Sequence, residues 1–120
     1  MSDHSKGAAG EEHAARYLEA LGYTILKRNF RIRTGEVDII AVRDDCLTFV
    51  EVKTWDRFGR SELERSINDR KRRRIRKAAE VFLLKQPEYR GHHMRFDVVL
   101  VSDNVSSVDY IEGAFDGAEH

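Results

Sequence analysis

Three residues in the middle of this 120-residue chain have the side chains that metal-assisted hydrolysis uses: Asp38, Glu51 and Lys53. Two carboxylates offer hard oxygen donors of the kind that Mg²⁺ or Mn²⁺ takes, with water completing the coordination shell. A cation held there lowers the pKa of a bound water and places charge on an attacked oxyanion. The ammonium of Lys53, two residues beyond Glu51, adds a fixed positive charge where negative charge develops. The structural alternative for the same residues is a salt-bridged strand end, with Lys53 neutralising one acid and the other facing solvent.

These side chains must share a face, and the flanking pattern says how. Strand-like runs cover Tyr23 to Ile32, Glu36 to Val42 and Leu47 to Thr54, broken at Thr34-Gly35 and Asp44-Asp45. Side chains alternate along a strand, so Leu47, Phe49, Glu51 and Lys53 lie on one face of the third run. Glu36, Asp38, Ile40 and Val42 form a matching face on the second. A two-residue hairpin at Asp44-Asp45 sets Asp38 opposite Glu51 and Glu36 opposite Lys53, with Cβ atoms about 4.5–5.5 Å apart. Two acids so placed repel unless something neutralises them.

The remaining elements frame that pair of strands. Ala8, Ala15, Leu18 and Leu21 recur at helical spacing over 7–21, and Gly22 stands where a C-cap glycine belongs. Residues 55–67 read as a loop or a short helical turn. Asn68 is an N-cap candidate for a helix over 69–86, with Ile75, Ala78, Ala79, Phe82 and Leu83 on one face and Pro87 beyond its end. Met94 to Val101 reads as a buried strand interrupted by Asp97, and Ser107 to Ile111 as a weaker one. The expected fold is α/β, in the order αβββαββ: a mixed sheet flanked by helices, one domain over 1–120 with its core at about 7–116.

Composition narrows the function classes. The net charge is zero, yet every residue from Arg70 to Lys77 except Ile75 is basic, and beyond Arg95 there are six acids and no Lys or Arg. The single cysteine, Cys46, excludes an intrachain disulfide and a cysteine-rich zinc site, and fits a reducing, cytoplasmic setting. Met1 to Gly10 contains no apolar signal-peptide segment. No run approaches the roughly 20 apolar residues of a membrane span.

Gly35-Glu36-Val37-Asp38-Ile39-Ile40-Ala41 followed by Phe49-Val50-Glu51-Val52-Lys53 resembles the D…E-x-K signature of the PD-(D/E)XK nuclease superfamily. More closely, the chain resembles the uncharacterised bacterial YraN-like family, relatives of archaeal Holliday-junction resolvases. Gly10-Glu11-Glu12, Gly22-Tyr23, Arg28-Asn29, Lys71 with Arg74, Arg95 to Val99 and Ala114-Phe115 carry the match over roughly residues 7–116. The resemblance implies a restriction-endonuclease-like fold, Asp38 and Glu51 as ligands to Mg²⁺ or Mn²⁺, the Val52 carbonyl as a further ligand and Lys53 as the catalytic lysine. It brings no established substrate; the Asp38, Glu51 and Lys53 face taken together with it leads to an expected function, Mg²⁺-dependent hydrolysis of phosphodiester bonds in structured or branched DNA. A homodimer is an expectation too, since junction-cleaving relatives tend to be dimers. Two departures from the family pattern are Trp55, where an arginine usually stands, and Arg65, where a glutamate does, although Glu64 is adjacent.

Resolvases of that superfamily carry an acid early in the first helix, and Glu11 and Glu12 compete for it. Helical spacing sets Glu11 with Ala15 and Leu18, and Glu12 with Arg16 and Glu19. Glu11 is therefore expected at the site, its alternative role being an acid favoured by the helix dipole. Lys71 and Arg74, with Arg28 and Arg33, are candidate phosphate contacts. Asp97 is expected to satisfy a local hydrogen bond or ion pair, and His92-His93 to be loop surface. Two rival functions remain: a nucleic-acid-binding module of the same fold that does little hydrolysis, and a protein-interaction domain with a fortuitous charge cluster.

Overall fold

A computed structural model describes residues 2–55, 68–102 and 107–115, with the backbone alone described at 2–8 and at Trp55. Helix α1 (Ser2–Ala20) leads into strands β1 (Thr24–Ile32), β2 (Gly35–Arg43) and β3 (Cys46–Trp55). Helix α2 (Asp69–Lys85) and a 3₁₀ turn at Pro87–Tyr89 precede β4 (His93–Ser102) and β5 (Val108–Phe115). The order is the expected αβββαββ. Helix α1 begins earlier than periodicity indicates, and β5 runs four residues further, from 111 to 115.

Local chemistry sets the element ends. Gly22, at φ 99°, terminates α1: its N–H donates to the Glu19 carbonyl at 3.0 Å and the Tyr23 N–H to that of Leu18 at 3.0 Å. That double bond to the last turn is the Schellman closure, in which a left-handed residue is needed. The Asn68 Oδ1 accepts from the Lys71 N–H at 3.0 Å, capping α2. Pro87 cannot extend α2 and opens the 3₁₀ turn instead. Arg43 pairs with Cys46 across the Asp44-Asp45 turn, Asp44 taking φ 54°, and Ile32 pairs with Gly35 across Arg33-Thr34. The first hairpin turn thus lies one residue earlier than the Thr34-Gly35 break.

The five strands lie in chain order, antiparallel except for β3 and β4, which are parallel. A parallel pair needs a crossover, and α2 lies within that connection. Each sheet face carries a core layer. Against α2, Ile75, Ala78, Ala79 and Phe82 meet Ile40, Leu47, Phe49, Phe96 and Leu100. Against α1, Ala14, Ala15 and Leu18 meet Ile39, Ala41, Val50, Val99 and Val101. The middle strands are buried on both sides, which is why their sequence reads as nearly continuous apolar runs.

A polar network closes the α1-side layer. Fully buried Asp97 accepts from the Thr48 hydroxyl at 2.6 Å, the Gly113 N–H at 2.8 Å, Arg95 Nε at 2.9 Å and the Tyr110 hydroxyl. Arg95 in turn donates to the Tyr23 and Tyr110 hydroxyls. The local pairing expected of Asp97 is present, and it reaches further than expected, joining β3, β4 and β5 to Tyr23, the residue before β1.

Helix α2 meets β2 backbone to backbone. A Cβ on Gly35 would overlap the Arg74 carbonyl oxygen and stand 3.2 Å from the Ala78 nitrogen. Gly35→Ala is expected to destabilise the protein by about 1–3 kcal/mol, the usual cost of overpacking. The check is the urea midpoint, which should fall with the slope unchanged.

Candidate metal centre

The site lies where the sheet parts. The last paired residues of β2 and β3 are Ile39 and Val50, in the register that the hairpin dictates. Beyond them the Val52 N–H, which would have continued the ladder, donates to Asp38 Oδ2 at 2.8 Å. A strand residue points its N–H and C=O to the same side, so the Val52 carbonyl is aimed into the same gap. Asp38 thereby occupies the gap between the strands. The expected pairing of Glu36 with Lys53 does not form as a ladder: Glu36 is exposed and lies 3.6 Å from Arg31.

Two further observations mark a change of face here. Val37 belongs to the α2-side layer and Ile39 to the α1-side layer, although regular alternation would place them together. On β1, Arg28 bonds Glu12 of α1 at 2.8 Å, whereas Phe30 packs edge-on against Phe82 of α2 at 5.7 Å. Between those two stands Asn29, at φ 54°. With Arg28 paired to Ile39 and Phe30 to Val37, Asn29 lies across from Asp38.

Glu51 and Lys53 stand on the α2 side. Lys53 Nζ and Lys71 Nζ each lie 3.8 Å from Glu51 Oε2, and the Glu51 and Lys53 side chains are only 13% and 19% exposed. Burial pushes the Asp38 carboxyl up to about 7, and the Glu51 charge beside it pushes the same way, while the Val52 N–H opposes. Burial likewise raises Glu51, against the pull of Lys53 and Lys71. Lys53 is lowered, first by burial and then by Lys71 next to it. Glu11 is also raised, by burial and then by the Asp38 charge, with a hydrogen bond from Asn29 and the charges of Arg28 and Arg31 opposing.

Asp38, Glu51 and Lys53 therefore adjoin one another at the parting, and Glu11, on α1, lies within reach of the Asp38 charge. Glu12 instead faces outward to Arg16 and Arg28, at 2.8 Å each. Lys71 joins Glu51 directly, and with Arg74, Arg70, Asn68, Ile75, Glu36 and Glu51 it lines a pocket of about 230 Å³. Arg28 is held by Glu12, and Arg33 is exposed at the β1–β2 turn, so neither lines this pocket. Trp55 pairs through its backbone with Ser102, while Glu64 and Arg65 lie outside the described residues. His92 contacts the Tyr89 ring and His93 is exposed. Sequence reasoning gave the left-handed Asn29 no role, although Arg28-Asn29 carries part of the family resemblance and asparagine tolerates left-handed backbone.

No group of three or more His, Cys, Asp or Glu among the described residues is disposed as a ready metal cage. The donor chemistry nonetheless fits a hard divalent cation. Two half-buried carboxylates adjoin each other, the Val52 backbone faces the same gap, and no soft ligand stands beside them among the described residues.

Residues 10–101 match the model of uncharacterised protein family UPF0102. The chain belongs to that family. Relatives carrying the family name include one from Azorhizobium caulinodans, 43% identical over 113 residues, covering 94% of this chain and 84% of the relative. One from Persephonella marina is 41% identical over 111 residues, 92% of this chain and 93% of the relative. One from Treponema pallidum is 45% identical over 103 residues, 84% of this chain and 82% of the relative. The family match extends from Gly10, beside Glu11, through all of α2 to the end of β4's apolar run.

The raised carboxyls set a pH dependence. A carboxyl whose folded pKa exceeds its unfolded value stabilises the fold while protonated and loses that contribution as pH rises through the folded value. For Asp38 the window runs from 3.8 to about 7, with Glu51 acting in the same direction. Metal-free protein is expected to show a melting temperature that falls between pH 5 and pH 8. Asp38→Asn should flatten that slope in a thermal scan across pH.

Proposed function

We propose that this protein is a divalent-metal-dependent endonuclease that hydrolyses phosphodiester bonds in structured or branched DNA. The observation that carries the reading is that Glu51, which adjoins Asp38 and Lys53, also meets Lys71 and with it lines a pocket beside a basic helix. The resemblance to PD-(D/E)XK nucleases supplies the reaction class by analogy.

Asp38, Glu51 and the Val52 carbonyl would hold Mg²⁺ or Mn²⁺, with Glu11 adding charge from the other side. When bound, the cation lowers the pKa of a water and neutralises charge on the attacked phosphate. The water oxygen bonds to phosphorus and one P–O ester bond breaks, leaving a phosphate monoester and a hydroxyl end. Lys53 sits beside Glu51 to hold positive charge at the phosphate. Lys71, Arg70 and Arg74, in the first turns of α2, form the wall on which the adjoining backbone phosphates would rest. The reading places the protein in the cytoplasm, with a homodimer matching a two-fold branched substrate.

One observation favours a second reading, a nucleic-acid-binding module with little hydrolysis: Glu51 already faces two ammoniums, which reduce its need for a metal. Purified protein incubated with junction, flap, nicked and linear DNA and Mg²⁺ or Mn²⁺ separates the two. The nuclease reading expects cleavage that drops about 10²–10³-fold in Lys53→Ala, and divalent binding that disappears in Glu51→Ala. Cutting that survives Lys53→Ala points to a contaminant, binding without cutting favours the module, and absence of divalent binding ends the metal reading. Arg74→Ala should weaken DNA binding on every substrate and flatten its salt dependence by about one phosphate contact.

A further inference from the structure

Glu51 has one carboxylate charge and two ammoniums that answer it. Lys53 Nζ and Lys71 Nζ each lie 3.8 Å from the same oxygen, Glu51 Oε2. That separation exceeds the roughly 2.7–2.9 Å of a charge-assisted hydrogen bond, so both cations are held by attraction at a distance rather than by contact. The two ammoniums can be no further apart than twice that separation, and like charges so placed repel. The trio carries one surplus positive charge.

Burial decides which lysine can leave. The Lys53 side chain is 19% exposed and that of Glu51 13%, whereas that of Lys71 is 41% exposed. Lys53 moved off Glu51 would be a half-buried ammonium without its counter-charge, which is far more costly than freeing one at the surface. Lys71 has solvent beside it, and it lines the pocket together with Arg70 and Arg74. Its backbone is fixed. The Lys71 N–H donates to Asn68 Oδ1 at 3.0 Å, and one turn further on the Arg74 carbonyl rests against Gly35 of β2. The Lys71 ammonium therefore moves by its flexible four-carbon stem alone, with the helix in place.

An anion in the pocket and a cation at Glu51 make the same demand on Lys71. A backbone phosphate beside Arg70 and Arg74 draws the surplus charge away from Glu51. A divalent cation at Glu51 is repelled by Lys71 for as long as the ammonium stays there. Whichever ligand arrives first makes room for the other, and the effect is reciprocal.

We propose that Lys71 is an exchangeable counter-ion: its ammonium occupies Glu51 in the unliganded protein and passes to a nucleic-acid phosphate entering the pocket, so that phosphate and divalent cation each favour binding of the other. The proposal rests on the nuclease reading above and deepens it, by coupling the two ligands of one site.

Four proteins separate exchange from a fixed ion pair: the native chain, Lys71→Met, Glu51→Gln and the double variant. Methionine keeps most of the aliphatic stem and removes the charge; Lys71→Gln replaces it if Lys71→Met proves unstable. Without DNA, Mn²⁺ titration by calorimetry should show affinity raised about 10-fold in Lys71→Met. Equal or weaker affinity overturns the proposal. Without metal, in EDTA at low salt, fluorescence anisotropy with a labelled DNA junction reads the phosphate side. Glu51→Gln should tighten DNA binding about 10-fold more in the native background than in Lys71→Met, because only there does it release a cation to the phosphate. Equal gains in the two backgrounds mean that Lys71 stays on Glu51, and the exchange is refuted. If Mn²⁺ binds neither the native protein nor Lys71→Met, the metal reading and the coupling fall, while unequal gains in DNA binding still support the movement of Lys71. If DNA binds none of the four, the exchange fails even where Mn²⁺ binds as the metal reading requires.

Discussion

The hydrogen bond from the Val52 N–H to the Asp38 carboxylate, at 2.8 Å, is the contact on which the candidate site depends. A sheet that parts leaves backbone donors to be satisfied, and a buried unsatisfied N–H costs about 1–3 kcal/mol. Asp38 fills that role with its side chain, so the strands can separate without leaving Val52 orphaned. The same act seats a carboxylate between strands, with Glu51 on one hand and Glu11 on the other. Structural need and chemical capacity converge on one residue.

Burial on both faces gives this arrangement its rigidity. Ile39 and Val50, the last pair before the parting, are fully buried in the α1-side layer, and Phe49, just before them on β3, is fully buried in the α2-side layer. The strands are thus clamped up to the residue at which they separate. Helix α2 is located with similar strictness, because Gly35 lets its backbone touch β2. Lys71 reaches Glu51 from a helix whose height above the sheet is fixed by main chain rather than by deformable side chains. At the opposite end of β3, the Asp97 network ties Thr48, Arg95 and Tyr110 together. One end of the strand is sealed and the other is held open.

Much of this was legible in the residues. Alternation and the Asp44-Asp45 turn gave the β2–β3 register, Gly22 marked the end of α1, and Asn68 marked the start of α2. Helical parity separated Glu11 from Glu12 correctly in space, since Glu12 pairs outward with Arg16 and Arg28. The stripe leading to Ile75 brought Lys71 to the site face. What alternation could not reveal is where alternation stops. The face switch at Asn29 and Asp38, and the loss of the Glu36–Lys53 pairing, come from strand divergence, which leaves no periodic trace. Arg28 was legible as a base but not as the partner of Glu12, a contact between elements 16 residues apart.

The mutual pressure between Asp38 and Glu51 has a consequence for stoichiometry. With the Asp38 carboxyl raised to about 7 and Glu51 raised beside it, the pair retains a proton in part of the molecules near neutral pH. On the proposed reading of the site as a metal centre, an ion held by the two carboxylates would displace the retained proton rather than fill an empty seat. The parting of the strands would then act as an ion exchanger, its occupancy following the ratio of cation to hydronium in the surrounding solution.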